Sequence, residues 1–160
     1  MDRVINNLLL DSLTLQAKLS ERLRQNYNLH KSFEEPSQRL LNAIEPYSYI
    51  RPHRHLVEKR DEYLSVLRGK FLFVTFNDEG VVMSVLRLGL SSDCDALAVE
   101  IAPTTWHTVI ALVSGSVLFE AKPGPFNPNK SKDLAPWAPE ENTDDVTKYI
   151  ENLLRHMERH

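Results

Sequence analysis

Pro52-His53-Arg54-His55 opens a stretch that runs through Glu62 to Arg68-Gly69, and its reading governs the rest of the chain. In an extended strand successive side chains point to opposite faces, so His53 and His55 send their imidazoles into one cavity. Glu62 begins the next run, just before the apolar residues 63–67 that would fix it, and Arg68-Gly69 closes that run with a turn. Much further on, Trp106-His107 offers a third imidazole. Three nitrogens and one oxygen converging from separate elements make a metal cage. Any single histidine here is explained as well by ordinary hydrogen bonding. The pattern as a whole points to a metal.

Outward from this stretch, the chain reads as a series of short strands. Residues 70–76 and 81–88 flank Asn77-Asp78-Glu79-Gly80, a hairpin loop whose glycine accepts positive φ. Residues 97–101 and 107–112 follow, then 117–121 after the Ser114-Gly115 turn. Turn signals at this spacing, without a βαβ rhythm, predict a mainly β sandwich or barrel. Upstream, Ile5, Leu9, Leu13 and Ala17 step by four, predicting an amphipathic helix over 4–24. Residues 24–30 read as irregular, and a strand starts at Gln38 and stops by Pro46. Pro123, Pro125, Pro128, Pro136 and Pro139 make 122–139 an extended loop, pinned to the body by Trp137. Thr143-Asp144-Asp145 then starts a helix whose Val146, Ile150, Leu153 and Met157 share a face, with Arg155 and Arg159 at its basic end.

Composition excludes several classes. A chain of 160 residues fits one domain able to bury a core without staples. A net charge of -3 supplies no basic field for phosphate backbones, so nucleic acid is not expected as a partner. No apolar run approaches the ~18 residues that span a bilayer, and the N-terminus lacks a signal-peptide core. Cys94 is alone, so no intrachain disulfide forms and a reducing, cytoplasmic location is expected.

His53-Arg54-His55, with Glu62 and then Gly69 seven residues on, resembles the first motif of the cupin superfamily, G(x)5HxH(x)3-4E(x)6G. His107 resembles the histidine of its second motif, PxGxxH. Tyr47 stands where the first motif begins with Gly, and Ala102, Thr104 and Ala111 replace the second motif's Pro, Gly and final Asn. Glu58 lies nearer His55, but only Glu62 keeps the six-residue spacing to Gly69. Residues 22–30, 38–43, 49–55, 106–108, 119–125 and 132–139 are similar to one branch, the WbuC-type cupin-fold metalloproteins, a resemblance covering about residues 8 to 140. It implies a cupin double-stranded β-helix, or jelly-roll barrel, holding one metal, in proteins associated with bacterial O-antigen and lipopolysaccharide synthesis. With the helices read above, the expected layout is one domain over 1–160: an N-terminal helical arm (1–35), a β-barrel core (36–121), a Pro-rich loop (122–142) and a C-terminal helix (143–160).

The expected ligands are His53, His55, Glu62 and His107, holding one divalent transition metal: Fe, Mn, Ni or Zn. Arg51 is a candidate clamp for an anionic group, whereas Arg54, between two inward histidines, should face outward. Asn26, Asn28 and His30 are candidate substrate contacts, although loop amides more often form turns. Gln38, Arg39 and Asn42 read as strand-face polars or contacts to the N-terminal arm. Tyr47 and Tyr49 are candidate general acids, with aromatic packing as the competing use. The leading expectation is a metal-dependent isomerase or epimerase acting on a small sugar or sugar-acid derivative. The alternatives are a cupin dioxygenase with the same ligands and a non-catalytic sugar- or anion-binding module with a structural metal. An exposed sheet edge admits a homodimer.

Overall fold

Two antiparallel five-stranded sheets lie face to face in a jelly roll, with a helix over the outside of each. The computed structural model describes residues 2–57, 59–127 and 132–157; Glu58, Pro128 and Arg159, named above, lie outside the described residues. The first sheet runs in the order β1 (Arg24–Asn28), β2 (Ser37–Ile44), β9 (Ser116–Pro123), β4 (Glu62–Arg68), β7 (Ala98–Ile101). The second runs β10 (Asp133–Leu134), β3 (His53–Arg54), β8 (Trp106–Ala111), β5 (Lys70–Phe76), β6 (Val82–Gly89). No helix among the described residues is long and apolar enough to cross a membrane.

Between the sheets, Ile44, Leu64, Val66, Phe71, Phe73, Leu88, Val109 and Leu118 form the central core. The outer faces are covered separately. Helix α1 (Asn7–Leu19) lays Leu10, Leu13 and Ala17 on Leu41, Ala43 and Val117. Helix α2 (Asp145–Leu154) and the 135–138 segment cover Leu72, Val74, Phe76 and Ile110. Strand β8 is therefore buried on both faces, which explains its loss of period-two alternation. Trp137 pins its segment as expected, packing 5.0 Å from Phe76 and 6.1 Å from Trp106 between ring centroids.

Three local expectations change. α1 starts at Asn7, not residue 4, because the Asn6 side chain accepts a hydrogen bond from the Leu9 N–H and caps it. It stops at Leu19, and left-handed Leu23 (φ 54°) turns the chain into the sheet. Its buried stripe is Leu10, Leu13, Thr14 and Ala17, while Ile5 is exposed. The stretch expected to be irregular is instead edge strand β1: Asn26 pairs with Asn42 and Asn28 with Leu40. Polar residues on its cavity-facing side erase the apolar alternation that marks a strand. Finally, β3 and β10 are two-residue strands, too short to leave a periodic signature.

Gly69 joins β4 to β5 with φ 79°, and a Cβ there would sit 2.8 Å from the Ser116 Cα. That position tolerates only glycine without strain. Tyr47 takes φ 67°, so it keeps the left-handed backbone at the place where the cupin motif has Gly.

Candidate metal centre

The four expected ligands meet. His53, His55, Glu62 and His107 are all buried, and their ligand atoms lie within 4.8 Å of one another. Register explains the meeting. His53 on β3 is paired directly with His107 on β8, so both imidazoles leave the same face of the second sheet. Glu62 opens β4 in the opposite sheet and closes the group from across the barrel. His55 lies one residue beyond β3, held by its backbone N–H donating to the Pro103 carbonyl. The imidazole centroids are 4.5 Å apart for His53 and His107, 5.2 Å for His53 and His55, and 5.8 Å for His55 and His107.

The donor set fits a divalent cation. His107 Nδ1 lies 2.9 Å from the Thr105 carbonyl oxygen, while its Nε2 lies 3.0 Å from Glu62 Oε2. A neutral imidazole has a single N–H, so it can serve the carbonyl through Nδ1 or the carboxylate through Nε2 but not both at once. A cation between them resolves that conflict. His53 Nδ1 is likewise anchored, 2.9 Å from the Arg51 carbonyl, leaving Nε2 for the cavity. The separations of His107 Nε2 and His55 Nε2 from Glu62 Oε2, 3.0 and 3.1 Å, also match a coordination edge. Two bonds of ~2.1 Å at right angles place their ligand atoms about 3.0 Å apart.

Electrostatics favour the ligating forms of His53 and Glu62. Burial holds the His53 imidazolium well below its ordinary range, aided by the Lys132, His107 and His55 charges. Burial alone would raise the Glu62 carboxyl, but hydrogen bonds from His107 and His55 and the Lys122 charge outweigh it and hold it well below the carboxylate range. A neutral His53 imidazole and an ionised Glu62 carboxylate are the forms that ligate.

His53, Glu62 and His107 of the cluster line a small cavity of about 40 Å³ shared with Asn42, Glu120 and Lys132. Glu120 is buried; Lys122 Nζ donates to its Oε1 at 2.6 Å and Asn42 Nδ2 to its Oε2 at 2.6 Å. Lys122 Nζ also stands 3.8 Å from Glu62 Oε1. The sequence reading left Glu120, Lys122 and Lys132 out of the site. The signal for Glu120 and Lys122 lay in β9, where Leu118, Glu120 and Lys122 share one inward face and charged residues interrupt an apolar alternation.

Other expected site residues lie elsewhere. Asn26, Asn28 and His30 line a neighbouring pocket beside β1. Arg51 donates from Nε and Nη2 to the Ala135 carbonyl, which fastens the 133–138 segment and keeps its guanidinium from the metal cavity. Arg54 faces outward as expected, bonded to Asp78 and stacked 4.2 Å over Trp106. Tyr49 is buried among core residues against α2, donating to the Pro139 carbonyl, and burial pushes its phenol up to about 12. Tyr47 is exposed. Neither tyrosine reaches the cluster lining, which corrects their reading as general acids at this centre.

The fold is that of the cupins, and the buried cluster inside it is a candidate metal centre. The fold is similar to that of a cupin-2 domain from Rhodospirillum rubrum, at 13% identity over 81% of this chain and 79% of that one, with a TM-score of 0.51. It is also similar to an oxalate decarboxylase variant from Bacillus subtilis (15% identity, 69% of this chain and 27% of that one, TM-score 0.52). A third is CapF, the capsular polysaccharide assembling protein of Staphylococcus aureus (18% identity, 72% and 32%, TM-score 0.50). This chain thus spans about a third or less of the latter two. No curated protein matches it. The chain belongs to the family described as a domain of unknown function, DUF6016, which matches residues 5–88.

Proposed function

We propose that the chain is a cytoplasmic metal-dependent enzyme of isomerase or epimerase type, acting on a small sugar derivative. In this reading it belongs with the WbuC-type cupins of bacterial surface-polysaccharide synthesis. The observation that carries the catalytic part is that the His/Glu cluster shares its cavity with the buried carboxylate Glu120 and with Lys132. A purely structural metal has no use for an added carboxylate and ammonium at its side. Four protein ligands also leave positions open on a six-coordinate ion. The saccharide part rests on the WbuC-like text, with the capsular role of CapF as a fold-level analogy only.

His53, His55, Glu62 and His107 would hold a divalent cation, which when bound would supply Lewis acidity beside a substrate oxygen and its neighbouring C–H. The rest falls to this chain's own residues. The Arg51 and Thr105 carbonyls hold His53 and His107 in orientation through Nδ1. Asn42 and Lys122 fix Glu120 so that a remaining lone pair on its carboxylate can take the substrate proton and return it. The apolar residues Ile44, Ile50, Leu64, Val109 and Leu118 around them exclude water and strengthen these interactions.

The test is proton exchange in D2O. Metal-loaded protein incubated with a panel of aldoses, ketoses and uronic acids should introduce deuterium beside the carbonyl or carboxylate of at least one of them, read by proton NMR. Chelation and Glu120→Gln should each stop the exchange. Oxygen uptake without exchange would replace this reading with the dioxygenase, and silence across the panel at full metal occupancy would end the enzymatic one.

A further inference from the structure

The metal cavity, at about 40 Å³, has room for a few water-sized groups beside a cation but not for a sugar ring. Most of any sugar-sized ligand must therefore sit elsewhere. Next to it lies a pocket of about 190 Å³. The two share a wall: Lys122 lines the pocket, and its ion-pair partner Glu120 lines the metal cavity. Register makes them one surface. Asn28, Leu40, Glu120 and Leu64 lie abreast across β1, β2, β9 and β4, and Gln38 stands beside Lys122 in the next row.

This pocket is built, and it is chemically specific. Gln38, almost wholly buried, donates its side-chain amide to the Ser32, Phe33 and Glu35 carbonyls, which fixes the turn carrying Phe33. Gly124 packs tightly on the same turn: its N–H donates to the Pro36 carbonyl, and a Cβ there would collide with the Glu35 carbonyl oxygen. Phe33 and Phe126 stand 5.1 Å apart with their rings tilted at 59°, giving apolar walls. Asn26 and Asn28 place linked amides at the rim. His30 is 93% buried by its 7% exposure; its Nδ1 is engaged with the Arg39 backbone, and among the described residues its Nε2 has no hydrogen-bond partner. Whichever tautomer it holds, Nε2 offers one unused donor or acceptor at the pocket wall. A buried polar atom left so is costly unless a ligand completes it.

We propose that this pocket is the second half of the substrate site and that it takes the ring of a sugar acid. Its apolar C–H face packs on Phe33 and Phe126, its hydroxyls bond to His30 Nε2 and the Asn26–Asn28 amides, and its carboxylate end passes Lys122 towards the cluster. Amides and imidazole suit hydroxyls, the phenyl walls suit the C–H face, and the lysine suits an anion. This assignment rests on the cluster being a catalytic metal centre, and the test separates the two claims.

The experiment is calorimetric titration of the Mn(II)-loaded full chain with D-glucuronate, which carries ring and carboxylate, and with L-lactate, a hydroxy acid without a ring. Phe126→Ala and Asn28→Ala, both away from the metal ligands, should each weaken glucuronate about tenfold and leave lactate within twofold. Glucuronate affinity unchanged in both variants, or lactate weakened in step with it, would overturn the subsite. Failure of the wild type to bind glucuronate would overturn it too, with lactate then reporting on the metal centre alone. Glucuronate binding that survives chelation but still falls in Phe126→Ala would uphold the pocket and remove the catalytic-metal reading.

Discussion

Loading the centre with a divalent cation should raise the melting temperature, and Glu62→Gln should erase nearly all of that rise. The four ligand atoms already stand within 4.8 Å of one another in a buried cluster, so the folded chain presents a site that the unfolded chain lacks. With free metal at a hundred times its dissociation constant, linkage gives about 2.7 kcal/mol. For a chain of this size that corresponds to a rise of roughly 5–11 °C. Glu62 carries the negative charge among the four ligands, and changes even to groups behind a ligand cost ~10–100-fold in affinity. Taking 100-fold for Glu62→Gln, the same metal concentration only half-fills the site. The gain shrinks to about 0.4 kcal/mol, roughly 1 °C. The assay is differential scanning fluorimetry with chelated and metal-loaded samples of each protein, each acting as its own reference because the substitution also alters the apo form. A wild type that does not respond to metal, or a Glu62→Gln variant that responds equally, would refute the ligand set.

Three further outcomes follow from the same geometry. Because burial depresses the His53 pKa below its ordinary 6.5, the folded apo protein binds fewer protons there than the unfolded chain; its stability should fall by up to about 1 kcal/mol from pH 6.5 to 5.5, the unfolded imidazole being only half protonated at the start of that window. Denaturant midpoints at the two pH values should show the loss, and His53→Gln should flatten it; identical slopes would clear His53 of the effect. Gly69→Ala should cost more than about 1 kcal/mol, since φ 79° and the Ser116 Cα at 2.8 Å both oppose a side chain; an unmoved midpoint in urea would contradict the turn geometry. Tyr49→Phe should lose about 1 kcal/mol with its bond to the Pro139 carbonyl and leave deuterium exchange untouched; loss of exchange would return Tyr49 to the chemistry.

The apolar strands were legible because burial writes itself into the run of residues: 70–76, buried on both faces, is nearly continuous in its apolar side chains and was read to the residue, and 63–67 and 117–121 fall inside β4 and β9. The His53/His55 pair, Glu62 and His107 were legible for a different reason, since imidazoles at strand spacing before a carboxylate are a chemical pattern as well as a structural one. β1 was missed because its inward residues serve a polar pocket, and pattern reading treats polarity as surface. Glu120 and Lys122 were passed over on the same ground. A charge on a strand looks solvated until register shows it facing the barrel interior. Arg51 erred the other way: its charge suggested a ligand clamp, whereas the Ala135 carbonyl, more than eighty residues downstream, engages it.

That His53 and His107 come from one sheet and Glu62 from the other bears on the order of assembly. The β5–β6 hairpin, the most local pairing near the centre, carries none of the four ligands. Ion capture must therefore wait until distant segments have docked, after the loop-closure cost is met. Metal would then do little to hasten folding and much to slow unfolding, acting as a rivet driven after the plates are aligned.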